Sequence, residues 1–352
     1  MESRLKKFIF KKDIFSNPTI NLKNINAINF KKQLKFFGFN SFDKIKLYIP
    51  INSSATNSKN FIIKFNEKFY LLKKESTKKE KFSNKKKRLK ELTKIYKSSF
   101  FIPLASNYKN LYQKDNYIWS IYHYFEGKHF SGKKNELNNI SKNYFKIQNK
   151  FKKIIIFKKS FDYFNNNDCE IVNKYKKNYK LWDKILNLKD KKLKLSLYNY
   201  FLSEWNRIKP FKSEFRKLKK KYSHYDLHPH NIMIKGNKIK IIDLNSITYM
   251  PIEFSTAFSA LKLCRQTIYL NNIKKYRVIG LKFLRNLEKK YCNKLNKKKY
   301  IYDFANTELM RRICIILKAN LNEDKSMNHI LPILISNIIE SKLIFKNIKF
   351  SI

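Results

Sequence analysis

Apolar positions change period along the chain. A short amphipathic stretch from Phe30 to Phe39 predicts a helix ending at Gly38. Strand-like alternation begins at Ile45 to Ile49. It returns in Phe61 to Phe65 and Phe69 to Lys73, which predict a tight hairpin around Asn66-Glu67-Lys68. Residues 77–97 are charged and helical, and Tyr117 to Phe125 is a β-prone run closed by Glu126-Gly127. After Gly132 the spacing shifts to three and four. Leu137 to Phe151 carries Ile140, Tyr144, Ile147 and Phe151, and residues 171–208 carry the stripe Tyr179, Trp182, Ile185 and Leu188. One more hairpin interrupts the helices, with arms Ile232 to Ile234 and Ile239 to Ile242 around Gly236-Asn237. Residues 256–270, 274–296, 301–320 and 329–346 then read as helix. The succession predicts an α+β chain. A small lobe with an antiparallel sheet (31–126) precedes a mostly helical large lobe (127–352), after a basic extension (1–30).

The late hairpin sits beside the densest polar chemistry. The preceding loop, Ser-His-Tyr-Asp-Leu-His-Pro-His-Asn, holds His224, Asp226 and Asn231, and Asp243 ends the second arm. A turn at 236–237 places residue 231 nearly opposite 242, so Asn231 and Asp243 come close together. An amide oxygen and a carboxylate suit Mg²⁺, which takes a few hard oxygens and leaves the rest to water and phosphates. The spacing His-x-Asp-Leu-x-x-x-Asn, then a strand pair, then Asp, is the catalytic-loop and metal-loop pattern of kinases. In its form His-x-Asp-Leu-His-Pro-x-Asn the stretch resembles the aminoglycoside phosphotransferase and choline kinase superfamily, small-molecule kinases with a protein-kinase-like fold. Tyr225 and His230 stand where that family usually has Gly, and Leu244-Asn245 replaces the Phe-Gly of protein kinases.

The resemblance implies an ATP- and Mg²⁺-dependent phosphotransferase acting on a hydroxyl of a small molecule. Asp226 would accept or orient the acceptor proton, Asn231 and Asp243 would hold Mg²⁺, and His224 would brace the loop. In the small lobe, the loop at 51–58 would cover the nucleotide phosphates. It has no glycine, and Ser53, Ser54, Thr56 and Ser58 would supply hydroxyl donors instead. Period two puts Leu71 and Lys73 on one strand face, Leu71 towards adenine and Lys73 towards phosphate, with Lys74 pointing the other way. A helix Glu would orient Lys73; Glu91 and Glu80 are both candidates, and Glu91, among Leu89, Leu92 and Ile95, is preferred. Main-chain groups near His123, Tyr124 and Phe125 would bind adenine. Relatives use choline, ethanolamine, homoserine, sugars or aminoglycosides as acceptors. Phe254 to Arg265 carries no carboxylate, which leans towards a neutral or anionic acceptor such as a sugar.

Composition adds limits. The chain of 352 residues is 43% hydrophobic with 30 Phe, enough for a sizeable core. Net charge is +52, yet only nine of the 78 basic residues are Arg, and Lys, Asn, Ile, Phe and Tyr are all plentiful. That pattern fits compositional drift; it also fits attraction to a polyanion, although no Arg-rich segment points to specific nucleic-acid recognition. Four scattered Cys suit a reducing cytosol, and the expected location is cytoplasmic. Ile330 to Phe345 is interrupted by Pro332, Asn337, Glu340 and Lys342 and reads as a buried helix, not a membrane span. Two other readings stay open. His224, His228 and His230 with Asp226 suggest a zinc hydrolase. The missing glycines and the charge suggest a degenerate kinase fold that binds an anionic partner without catalysis.

Overall fold

The computed structural model describes residues 22–50, 58–77, 81–102, 111–154, 163–186, 188–287 and 301–348. The first part is an antiparallel sheet. Its strands are β1 (Leu22–Ile25), β2 (Ile45–Pro50), β3 (Ser58–Phe65), β4 (Lys68–Ser76), β5 (Tyr112–Lys114) and β6 (Tyr117–His123), in the order β1-β2-β3-β4-β6-β5. The sheet thus begins at Leu22, inside the stretch read as an extension. The β3–β4 turn is two residues long, with Asn66 at φ 46° and Glu67 at φ 59°. Two positive φ values are the primed-turn geometry that matches strand twist. Helix α1 (Lys31–Phe36) stops before Gly38, whose φ of +87° needs no side chain. Beneath one sheet face, Leu34, Phe39, Leu47, Phe61, Ile63, Leu72, Trp119 and Ile121 form a small core. Alternation in β4 buries Leu72 in that core and turns Leu71 and Lys73 to the opposite face.

Helix α2 (Phe82–Tyr96) lies between this sheet and the rest. Its Leu89, Leu92 and Ile95 join the larger core. The chain leaves β6 through residues 124–127 and enters a set of helices and short strands. These are β7 (Lys128–His129), α3 (Lys134–Lys150), α4 (Asn166–Lys177), α5 (Tyr179–Ile185), α6 (Lys191–Ile208), α7 (Lys212–Arg216), β8 (Lys220–His224), β9 (Ile232–Lys235), β10 (Lys238–Ile241), β11 (Ile247–Pro251), α8 (Ile252–Leu270), α9 (Tyr276–Arg285), α10 (Ile301–Leu321) and α11 (Leu331–Phe345). Helix α8 is buried along nearly its whole length and packs against α9, α10 and α11. Gly132 makes its close approach possible: a Cβ there would sit 2.8 Å from the Gln266 carbonyl oxygen.

Two short sheets carry the loops that matter. Strands β10-β9-β7 form one, and β11-β8 the other. Ile232, Ile239 and Ile241 are buried, each contributing roughly 1.5–3 kcal/mol. A one-residue slip would expose all three, so burial fixes the hairpin register. No helix among the described residues is long and apolar enough to cross a membrane.

Candidate active site

The β9–β10 register pairs Ile232 with Ile241, and one step further the Ile242 N–H donates to the Asn231 carbonyl at 3.0 Å. Asn231 and Asp243 are therefore neighbours at the mouth of the hairpin. Asp243 takes a left-handed backbone (φ 56°, ψ 53°), which costs a non-glycine residue roughly 1–2 kcal/mol and which a short polar side chain tolerates best. The Ser246 hydroxyl donates to Asp243 Oδ2 at 2.9 Å, and the Ser246 N–H to the Asp243 carbonyl at 3.0 Å. Asp243 itself stays exposed. Asn231 Nδ2 donates to the Asp226 carbonyl at 2.8 Å, so its Oδ1 is the end left to offer a ligand. The pair thus presents hard oxygens of the kind Mg²⁺ takes.

His224 ties the loop together. It is fully buried at the end of β8, and its backbone is clamped on both sides by Gln148 of α3, at 2.9 and 3.1 Å. The Asp226 N–H donates to His224 Nδ1, which leaves the proton on Nε2 to reach the Ile242 carbonyl at 3.2 Å. Burial pulls the His224 imidazole below its usual range, against the pull of Asp243 and Asp226, and keeps it neutral. It braces the two halves of the site. His228 is turned to Asp226 at 3.4 Å, and among the described residues no group of three His, Cys, Asp or Glu is arranged to hold a metal. The histidine cluster is not a zinc site there.

Asp226 is partly buried and doubly held. Arg312 Nη2, from α10, donates to its Oδ1 at 3.0 Å, and His228 lies at its Oδ2. Burial pushes this carboxyl up, but Arg312, His228 and His224 outweigh it and hold it well below the usual carboxylate range. Arg312 also stacks 4.0 Å over the Phe258 ring and pairs with Glu308 at 2.8 Å, and Glu308 in turn receives Arg311 at 2.7 Å. None of these long-range partners of Asp226 followed from the motif. A signal existed: Arg311-Arg312 is a tandem of the rarer basic residue in a chain whose basic residues are mostly Lys.

Lys73 approaches from the sheet. On β4 it lies opposite Ser120 of β6, while Leu71 lies opposite Tyr122. Burial lowers the Lys73 ammonium, but Glu75, Tyr122 and Asp243 together raise it above its ordinary value. Asp243 is near enough to act on the Lys73 charge, so the strand face and the hairpin mouth lie within electrostatic reach of each other. Lys74 points the other way and sits 3.7 Å over the Tyr117 ring. The carboxylate beside Lys73 is Glu75, at 3.2 Å. Glu91, expected in that role, is engaged by Lys94 at 2.6 Å, one turn along its own helix. Glu80 lies outside the described residues, as do Ser53, Ser54 and Thr56. Glu75 also receives the ammonium of the buried Lys85 of α2. Burial alone would raise Glu75; Lys73 and Lys85 hold it down at about 2.

The connecting segment is partly engaged already. The Tyr124 N–H donates to the Phe69 carbonyl at 3.1 Å, and the Phe125 carbonyl accepts from Gly127 at 2.8 Å. Residues 123–125 line a cavity of about 590 Å³ together with Phe100, Asn143 and Lys238. That cavity does not include Lys73, Asp226, Asn231 or Asp243.

No protein-family profile matches this sequence, and no curated protein matches it. Solved structures do match in shape. An amicoumacin kinase in complex with AMP-PNP, Ca²⁺ and its antibiotic superposes with a TM-score of 0.59, at 11% identity, over 99% of each chain. A spectinomycin phosphotransferase in complex with ADP and spectinomycin gives 0.53 at 12% identity, over 92% of this chain and 95% of that one. A choline kinase from Streptococcus pneumoniae gives 0.53 at 13% identity, over 89% and 98%. At such identities the likeness establishes the fold.

Proposed function

We propose that this chain, which has the fold of the aminoglycoside phosphotransferases and choline kinases, transfers a phosphoryl group from ATP to a hydroxyl of a small molecule. The observation that supports the reading is that the loop and hairpin hold Asp226, Asn231 and Asp243 together, with the Lys73 ammonium of the sheet within electrostatic reach of Asp243. Phosphoryl transfer asks little covalent chemistry of a protein; it asks for positioning and charge neutralisation. Asn231 and Asp243 are the residues that would hold Mg²⁺, whose chemistry there is to neutralise the nucleotide phosphates. Lys73 neutralises the phosphate chain from the sheet side. Ser53, Ser54 and Thr56 are the proposed hydroxyl donors over the phosphates, Leu71 the adenine contact, and 123–125 the connecting segment beside it.

Asp226 orients the acceptor hydroxyl. Its depressed basicity fits a group that directs the hydroxyl and takes the proton late, once bonding to phosphorus has made that proton acidic. The acceptor is best read as neutral or anionic, such as a sugar. Three large-lobe acids that could serve a cationic acceptor are already matched: Asp183 pairs with Lys194 at 3.0 Å, Glu204 with Arg207 at 3.0 Å and with Lys342, and Glu308 with both Arg311 and Arg312.

The test needs no acceptor to begin. Mg·ATP should raise the melting temperature of the purified chain, and ATP in excess chelator should do so much less. Acceptor-dependent ADP formation, screened over hydroxylated metabolites, then identifies the substrate. A chain whose melting is indifferent to Mg·ATP overturns the reading.

A further inference from the structure

We propose that Glu75 is the positioning residue for Lys73, so that the orienting carboxylate lies on Lys73's own strand while helix α2 contributes a cation, Lys85, to hold it. The inference rests on the phosphotransferase reading above and departs from the helix-borne carboxylate expected there.

The geometry starts with the strand. Residues 73 and 75 of β4 share a face, and their Cα atoms are about 6.7 Å apart at the rise of an extended chain. Two long side chains close that gap to 3.2 Å between Nζ and Oε1. The register fixes both positions: Lys73 lies opposite Asn60 and Ser120, and Glu75 opposite Ser58 and Ile118. The second carboxylate oxygen receives Lys85 Nζ, from the first turn and a half of α2. The side chain of Lys85 is 2% exposed, so water offers this ammonium little alternative to Glu75.

Helix α2 has one acid in its span, Glu91, and that acid faces Lys94. The charge relation between helix and strand is therefore inverted: the helix brings the cation and the strand carries the anion. Two consequences follow. The Lys73–Glu75 pair belongs to one strand, so β4 itself sets the spacing of the pair and α2 adds only the cation that holds Glu75. The group Lys73, Glu75 and Lys85 also carries one positive charge in excess. When phosphate draws the Lys73 ammonium forward, Lys85 keeps the partly buried Glu75 from being left as an unpaired carboxylate. Lys73 can then be shared between Glu75 and phosphate, and its reach stays fixed.

The experiment compares binding of Mg·AMP-PNP and of adenosine to the full chain by calorimetry. Glu75→Gln is expected to weaken Mg·AMP-PNP by about 10-fold or more, because a misplaced Lys73 reaches phosphate poorly, and to leave adenosine binding within about twofold. A merely structural role would weaken both ligands alike, and that result overturns the proposal. Glu75→Gln could fail to fold, since it leaves two lysines sharing an amide. The double variant Glu75→Gln, Lys85→Met removes one of those charges, and it should show the same selective loss; wild-type affinity in it overturns the proposal. Glu91→Gln should weaken Mg·AMP-PNP less than Glu75→Gln, and the reverse order returns the role to the helix. A wild-type chain that binds no Mg·AMP-PNP overturns the phosphotransferase reading and this inference with it. Binding by wild type with Glu75→Gln unaffected overturns this inference alone.

Discussion

Arg312 donates to the Asp226 carboxylate at 3.0 Å across a sequence separation of 86 residues. Helix α10, packed along α8, brings it there, and the Phe258 ring beneath the guanidinium fixes its plane. The consequence is a pH dependence. Asp226 must be ionised to orient a hydroxyl, and its carboxyl is held well below the usual range chiefly by Arg312, against the opposite pull of burial. Removing the guanidinium lets the folded-state value rise towards the ordinary one. Arg312→Met should therefore move the acid limb of the pH–rate profile to higher pH, whereas Arg312→Lys, which keeps a charge, should move it less. Arg312→Met should also destabilise the chain by roughly 3 kcal/mol, since Asp226 and Glu308 lose a shared partner. An acid limb that stays in place in Arg312→Met contradicts the coupling.

Asp226 and Asp243 divide the work, and their variants should separate. Asp226→Ala should lower turnover by about 10²–10⁴-fold, the range for a lost proton acceptor, and leave Mg·ATP binding largely intact. Asp243→Ala should abolish the Mg²⁺ dependence of ATP binding, because the exposed Asp243 is the charged half of the hairpin pair. Calorimetric titration of ATP with and without Mg²⁺ on both variants reads the difference. Normal Mg·ATP binding by the Asp243 variant removes it from the metal role.

How much of this was legible in the sequence depends on range. The hairpin was legible, because two short apolar arms, Ile232 to Ile234 and Ile239 to Ile242, flank the turn residues Gly236-Asn237; Asn231 and Asp243 follow from the register alone. The faces of β4 were legible for the same reason, with Leu71 and Lys73 on one side and Leu72 and Lys74 on the other. Strand β1 was not, because only Ile25 of Leu22–Ile25 is shielded from solvent and its pairing with β2 leaves no hydrophobic period. Arg312 was not, because its meeting with Asp226 is made by helix packing and by no local pattern. Glu75 was within reach, two residues from Lys73 on a strand of period two; the expectation of a helix carboxylate pointed to Glu91 instead, whose own neighbour one turn on is Lys94.

Adjacent lysines on β4 give an internal control. Lys73 pairs with Glu75 and lies within electrostatic reach of Asp243, and Lys74 lies over Tyr117 and Trp119 on the opposite face. Lys73→Met should lower kcat/KM for ATP by about 10²-fold, the scale of a lost electrostatic contact to the reacting group. Lys74→Met should leave it within about twofold and cost about 0.5–1 kcal/mol from the lost ring contact. Steady-state kinetics at varied ATP, with thermal melts of both variants, checks the pair. Equal losses in the two variants would mean that the strand faces play no part in choosing the phosphate lysine.

Glu253 gives a stability test away from the proposed chemistry. It sits in the first turn of α8, buried, and its Oε2 has no hydrogen-bond partner among the described residues. Burial pushes its carboxyl from the ordinary 4.5 up to about 7, against smaller lowering by a backbone hydrogen bond and by Lys221. The sign follows from linkage. A carboxyl that is more easily protonated when folded favours the folded chain at low pH. That favour is full below the ordinary carboxyl range and is lost as pH rises to about 7. Above it the folded chain must bury a charge. Glu253→Gln keeps the shape and cannot ionise, so it removes this term. Its melting temperature relative to wild type should therefore be higher at pH 8 than at pH 5, when both proteins are melted at matched ionic strength. A difference that is the same at both pH values would show that Glu253 titrates alike in the folded and unfolded chains.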